Sequence, residues 1–243
     1  MSRALPEPVE RWLALNPPPT ERFETAIIEG RARFRRQGKG LWLPIEATMS
    51  HQLGQHHVAD LRVGFGPLTF VRGLDGYVDG TGFSRISHTL DMGPEIDQSA
   101  ALFMWAEAIL FPAAWHDRPD VEWADGDEHG ATVTLPIGEA GLAAQLAFDP
   151  GTGLPSRFGA ERYKGVGSRP VGWTVDYEDW RPTSDGVALP GVATVAWADE
   201  PGPWFRMWIE RANPGADVSE AMARGRALLA DVAGNPMGIG PRR

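Results

Sequence analysis

Glu95-Ile-Asp-Gln-Ser-Ala-Ala-Leu-Phe-Met-Trp-Ala-Glu-Ala-Ile-Leu-Phe-Pro-Ala-Ala-Trp115 is the only long stretch in the first two hundred residues that reads as a helix, and it is apolar almost all round. The helix should begin after Gly93-Pro94 and end near Phe111-Pro112. A helix without a polar face cannot lie on a surface and must be enclosed. The residues on either side of it read as antiparallel strand. A greasy helix wrapped by a sheet is the architecture this predicts.

Working outward, residues with odd numbers from Thr25 to Arg33 alternate with the small, apolar set Ala26, Ile28, Gly30 and Ala32, the period of two that marks a strand. Trp42–Gln52 and His56–Phe65 alternate in the same way, and Gly38-Lys-Gly40 and Leu53-Gly-Gln55 supply turn residues. Leu68–Arg72, Gly76–Asp79 and Phe83–Thr89 extend this first meander. Beyond the helix, strands are expected at Val121–Ala124, Ala131–Pro136, Leu142–Phe148, Ser156–Tyr163, Trp173–Trp180, Gly191–Ala198 and Trp204–Ala212. Asp125-Gly-Asp127, Asp149-Pro-Gly-Thr-Gly153 and Ser184-Asp-Gly186 separate several of them. Eleven or twelve short strands with one internal helix predict a mainly β (α+β) chain. They would form a single large curved antiparallel sheet, or open half-barrel, closed around that helix.

A short N-terminal helix is expected over Pro6–Leu15, with prolines in its first turn and Asn16 plus three prolines ending it. Near the other end, Asp217 and Glu220 have the spacing of a capping pair, and Val218, Ala221, Met222, Gly225, Leu228, Leu229 and Val232 share a helical face. The expected division is a curved-sheet domain over 5–212, a helical extension over 213–236 and a disordered tail over 237–243. The last helix should pack on the domain or join two chains as a homo-oligomer.

A net charge of −9 and a pI near 5.2 argue against nucleic acid and against an anionic membrane surface. The tightest basic cluster, Arg31-Ala-Arg-Phe-Arg-Arg36, reads as a solvated strand and turn. With no cysteine, disulfides, thiolate metal sites and thiol nucleophiles are excluded. The N-terminus has no apolar core of a signal peptide, and the longest apolar window is broken by Glu107 and Pro112, so stable membrane insertion is not expected. A cytoplasmic protein is the expectation.

No motif names a reaction. Ser84 and Ser168 lack a nucleophile elbow, and Gly64-Phe-Gly66 and Gly238-Ile-Gly240 lack the helix a phosphate cradle needs. The acidic run Glu122–Glu128 does not follow a calcium-loop order. His56 and His57 are adjacent and point to opposite faces of a strand. His51 and His57 could pair across the Gly54 turn, with Asp60 or Glu46 to complete a metal set; exposed polar residues are the competing reading. His116-Asp117 is a candidate dyad. No spaced metal signature appears, so no metal, cofactor or catalytic residue is assigned.

Glu107 is the only ionisable group between Asp97 and His116, on a helix that should be enclosed. It must find a partner, reach water or hold a proton. A salt bridge or hydrogen bond to a strand residue such as an arginine is one outcome; a polar anchor inside an apolar pocket, gripping a ligand's head group, is the other. The ten tryptophans either pack the core or line a cavity for an extended apolar ligand.

Leu5-Pro-Glu-Pro-Val-Glu-Arg-Trp-Leu13, Gly76-Tyr-Val-Asp-Gly-Thr-Gly82, Glu95-Ile-Asp-Gln-Ser-Ala100 with Ala106-Glu-Ala-Ile-Leu-Phe-Pro112, Ala160-Glu-Arg-Tyr-Lys164 and Asp176-Tyr-Glu-Asp-Trp180 resemble DUF6544 (also DUF6920), a bacterial family of unknown function. The resemblance runs over about residues 5–212, and the block around the central helix is its most specific part. Leu102-Phe-Met-Trp105 departs from the polar, arginine-bearing pattern expected there, and the helix from Asp217 is an addition. The resemblance implies an architecture similar to LolA-like lipoprotein carriers, whose curved half-barrel takes acyl chains. No catalytic residues come with it, since fold alone does not carry function.

Taken together, these observations predict a protein that binds a hydrophobic or amphipathic, lipid-like small molecule between sheet and helix. Asp97, Phe103, Trp105, Glu107, Phe111 and Trp115 are the candidate binding residues. The alternatives are a structural or interaction module with a self-filled core, and an enzyme using Asp97, Glu107 or His116-Asp117.

Overall fold

The computed structural model describes residues 4–15, 23–65, 68–116, 118–182 and 188–234. The prolines after Asn16, Asp117, the Ser184-Asp-Gly186 turn and the 237–243 tail lie outside them. A first meander comprises β1 (Thr25–Phe34), β2 (Leu43–Gln52), β3 (His56–Phe65), β4 (Leu68–Val78), β5 (Thr81–Ile86) and β6 (Thr89–Met92). A second comprises β7 (Glu122–Asp125), β8 (Gly130–Leu135), β9 (Leu142–Phe148), β10 (Pro155–Tyr163), β11 (Pro170–Pro182), β12 (Ala188–Trp197) and β13 (Phe205–Pro214). Antiparallel pairing of β1 with β13 joins the two into one 13-stranded sheet, ordered β6-β5-β4-β3-β2-β1-β13-β12-β11-β10-β9-β8-β7. Its edges, β6 and β7, do not pair, so the sheet is open.

This order explains the central helix. The chain must travel from one edge of the sheet to the other between β6 and β7, and α2 (Pro94–Ala108) makes that crossing. It touches β3, β4, β5 and β6 on one side and β10 on the other, which requires the sheet to curl around it. No residue from Glu95 to Phe111 is exposed, as a helix apolar on every face demands. Gly93, at φ 123°, and Pro94 open the helix. At its end, the amides of Leu110 and Phe111 bond back to the carbonyls of Glu107 and Ala108, and a short turn of 3-10 helix follows at Pro112–Ala114. Side chains also donate to its last carbonyls: Tyr177 to Ala106 at 2.7 Å and Trp115 to Ala108 at 3.0 Å.

Two local expectations are corrected. The run from Leu68 is one strand, not two, because Gly73 and Gly76 make room for neighbours instead of turning the chain. A Cβ on Gly76 would lie 2.6 Å from Cζ of Phe83, and one on Gly73 2.9 Å from Ile86 Cδ1. Conversely, the stretch from Phe83 to Thr89 folds into the β5–β6 hairpin, with Ser87 at φ 54° taking the left-handed position that glycine usually marks.

On the inner face, α1 (Glu7–Leu15) contacts β8, and Trp12 packs against Trp115 and Phe148. Trp105, Trp115, Trp123, Trp173 and Phe158 fill the side belonging to the second meander, so these rings are core. On the outer face, α3 (Ser219–Gly234) sets Ala221, Met222 and Leu228 against Val58, Leu74 and Val78 of its own sheet. Salt bridges from Arg224 to Asp60 (2.7 Å) and from Arg226 to Asp79 (2.9 Å) flank that contact. The basic cluster is a strand and turn, as its alternation implies, with Arg31 paired to Glu210. Among the described residues, no helix is long and apolar enough to cross a membrane.

Candidate functional site

The first meander does not close onto α2. Between them lies a hollow of about 490 Å³, within the range of small-molecule pockets. Odd-numbered residues of β2, β3 and β4 wall it, among them Met49, Ala59, Leu61 and Val71, because strand alternation sends them to the inner face. The helix contributes Ile96, Ser99, Ala100, Phe103 and Glu107, one stripe at helical spacing. Trp204 and Phe205 close the side toward β13.

Several ionisable residues interrupt this apolar lining, and two groups stand out among them. Glu107 meets His51 and His57: Oε2 lies 2.9 Å from Nε2 of His51 and 3.2 Å from Nδ1 of His57. The two imidazoles face each other across the β2–β3 ladder, where they are register partners, with ring centroids 5.3 Å apart. Neither ring nitrogen of His51, nor Nδ1 of His57, nor Oε2 of Glu107 completes a hydrogen bond, close as they are. Burial lowers His51 to a pKa of about 3 and His57 to about 4, with the Glu107 charge opposing the second shift. Both rings are therefore neutral at pH 7. Burial also raises Glu107 to about 7, against the pull of His57.

The second group is Arg162 with Asp75. The guanidinium of Arg162 sits 4.6 Å from the ring centre of Phe103, 5.0 Å from Trp173 and 5.2 Å from Trp197, and its Nε donates to the carbonyl of Ser99. Burial lowers its pKa to about 9, opposed by the Asp75 charge. Aromatic faces thus stand in for the water this cation has lost. Burial raises Asp75 from 3.8 to about 6, although the Ser84 hydroxyl donates to it at 2.9 Å and Arg162 favours its charge. Its folded pKa lies above the unfolded one. The stability it contributes is complete below about pH 4 and is lost as pH rises through about 6. Asp75→Asn, which cannot ionise, should remove that part of the pH dependence. The stability of the wild type relative to the variant should fall by up to about 3 kcal/mol between pH 4 and pH 8, read from urea unfolding at each pH.

The six residues singled out from the sequence divide. Phe103 and Glu107 line the hollow. Asp97 is half-buried and accepts a 2.7 Å hydrogen bond from the amide of Gly82, tying the start of α2 to β5. Phe111 packs on Phe23 and on His51, behind the hollow. Trp105 and Trp115 pack together at a tilt, ring centroids 4.9 Å apart, in the wall beyond the helix, where Arg118 covers Trp105.

The partners of Glu107 are strand residues, as the first of the two readings expects, and they are histidines instead of an arginine. The pair across the Gly54 turn forms, but neither Asp60 nor Glu46 joins it; they bind Arg224 and Arg62 on the outer face. Parity alone separates them: Glu46 is five residues from His51 and Asp60 three from His57, odd offsets that reverse the face of a strand. His56 points away from its neighbour, toward Asp79. Sequence reasoning missed Asp75 and Arg162. The available signal was a charge on an inward-facing position of an otherwise apolar strand face.

Most of the chain has fold neighbours of known structure. A domain described as an outer membrane lipoprotein-sorting protein from Vibrio parahaemolyticus is 7% identical, with a TM-score of 0.52 over 89% of this chain and 97% of that one. A LolA-superfamily protein from Nitrosomonas europaea is 9% identical, with a TM-score of 0.51 over 88% and 94%. A DUF1329 family protein from Desulfovibrio piger is 13% identical, with a TM-score of 0.50 over 91% and 97%. At such identities the likeness is one of fold. No curated protein matches the chain in sequence. Residues 1–209 match the model of a family of unknown function, and the chain belongs to that family, DUF6544.

Proposed function

We propose that this protein binds a hydrophobic or amphipathic, lipid-like small molecule in the hollow between α2 and the first meander. The observation that carries the reading is the hollow itself: about 490 Å³, mostly apolar in its walls, with ionisable groups where a polar head group could be held. A module filled by its own side chains would leave no such volume. The lipoprotein-sorting description of one fold neighbour points to the same ligand class. Each buried methylene of the ligand would contribute roughly 0.8 kcal/mol. Part of that total offsets the loss of ligand freedom on binding. Arg162, caged by rings beside Phe103, suits an acidic head group better than Asp97, whose carboxylate is engaged with Gly82.

The test is direct. Protein purified from its native source should release a stoichiometric apolar or amphipathic compound on denaturation, detected by mass spectrometry. The stripped protein should take up a dansylated fatty acid with energy transfer from the tryptophans around the hollow. An empty protein that also ignores the probe would refute the reading.

A further inference from the structure

The amphipathic-ligand reading leaves three donor atoms beside the hollow without a task. His51 Nε2 and His57 Nδ1 both lie against Glu107 Oε2, and all three atoms fall within 4.8 Å of one another. His51 is 0% exposed and His57 3%, yet none of the three atoms completes a hydrogen bond. Buried polar groups in folded proteins are nearly always satisfied, so a convergent trio of unsatisfied donor atoms calls for an explanation. A cation at their centre would satisfy all three together.

The geometry fits one. Bonds of about 2.0–2.1 Å to imidazole nitrogen and carboxylate oxygen put neighbouring donors roughly 3.0–3.4 Å apart around a four- to six-coordinate ion. The two nitrogens stand 2.9 and 3.2 Å from the oxygen, close to that spacing, and lie within 4.8 Å of each other. We propose that His51, His57 and Glu107 form a binding site for one divalent first-row transition metal ion, zinc being the type case, with an open coordination position facing the hollow.

Donor chemistry sets the class: two imidazoles and one carboxylate suit zinc, iron or cobalt, whereas calcium and magnesium take oxygen sets. His57 and Glu107 line the hollow and His51 approaches from behind it. Three protein ligands with one side open is the arrangement of a site that still accepts water or a ligand, in contrast to a closed structural site. The support is rigid. The histidines are cross-strand partners in one hairpin, and the adjacent turn of α2 is held by the Tyr177 hydroxyl on the carbonyl of Ala106. The inference does not depend on what else enters the hollow, since the three ligands belong to the protein.

The test uses the full chain, stripped with a chelator and then titrated with Zn²⁺ by calorimetry and with Co²⁺ by visible absorption. One ion per chain should bind, and Co²⁺ should give the intense ligand-field bands of a low-coordinate nitrogen and oxygen site. His51→Ala, His57→Ala and Glu107→Gln should each weaken binding by at least about 100-fold. Glu107→Gln keeps the side-chain shape, and its thermal melt in metal-free buffer separates lost binding from lost fold. Zn²⁺ should raise the melting temperature of the wild type and leave that of Glu107→Gln unchanged. Variants at the exposed His88 and His129 should bind as the wild type does. Failure of the wild type to bind, equal affinity in the three ligand variants, or loss of binding at His88 or His129 instead would each overturn the proposal.

Discussion

Tryptophan in place of Ala100 should lower affinity for a dansylated fatty acid by at least about 100-fold, a loss of roughly 2.7 kcal/mol. Ala100 lies on the stripe of α2 that faces the hollow, between Ile96 and Phe103, and its methyl group borders open volume. Small-to-large changes destabilise a core when the site is already full. Here the added indole enters space that a ligand would occupy, so binding should suffer far more than folding. A variant with wild-type affinity would place the ligand elsewhere, and the hollow would lose its assigned role. Leu41→Ser is the companion control: Leu41 is 88% exposed and outside the hollow, so its loss should leave affinity unchanged.

The largest stability effect should come from the opposite face of the same helix. Trp105→Ala should cost about 3–5 kcal/mol, read as a shift in the urea midpoint at unchanged slope. Trp105 is 1% exposed, its ring lies 4.9 Å from Trp115, and Trp115 in turn packs on Trp12 and Trp123. Removing the indole opens a void at the centre of that cluster and strips the aromatic surface from beneath Arg118, 5.0 Å above it. The surrounding strands are held by continuous ladders and cannot collapse to fill the gap. A cost below about 1 kcal/mol would mean that the site relaxes, and that the tryptophan wall is less rigid than its packing implies.

These two substitutions lie on one helix, five residues apart, and are expected to do different things. That division was not legible in the sequence. An all-round apolar helix tells that every face is covered, but not which face meets filled core and which meets space. Here Trp105 and Trp115 belong to the wall on one side, while Phe103 and Glu107 belong to the hollow on the other. Composition treats both alike, because burial and cavity lining call for the same residue types.

Strand alternation was more informative than its first use allowed. It places His57 and the odd residues of β2 and β3 inside, sends Glu46, His56 and Asp60 outside, and excludes both acids, Glu46 and Asp60, from any site with His51. It could not supply the carboxylate that does arrive, Glu107, since that residue is fifty positions from His57 and reaches it only when α2 crosses the sheet. Glycine misled in one place and was absent in another: Gly73 and Gly76 sit inside a strand for close packing, and the β5–β6 turn uses Ser87.

The sequence by itself determined the architecture: two meanders of period-two strands, an enclosed helix between them, and an amphipathic helix at the end. Each follows from local periodicity and from the rule that apolar surface must be covered, which neighbouring residues express directly. Only the tertiary structure decided that the meanders join through β1 and β13, that the helix leaves a hollow against one of them, and that His51, His57 and Glu107 converge there. Those features depend on contacts between residues far apart in the chain. Their geometry is set by how a 13-stranded sheet curls around one helix, which no local pattern encodes.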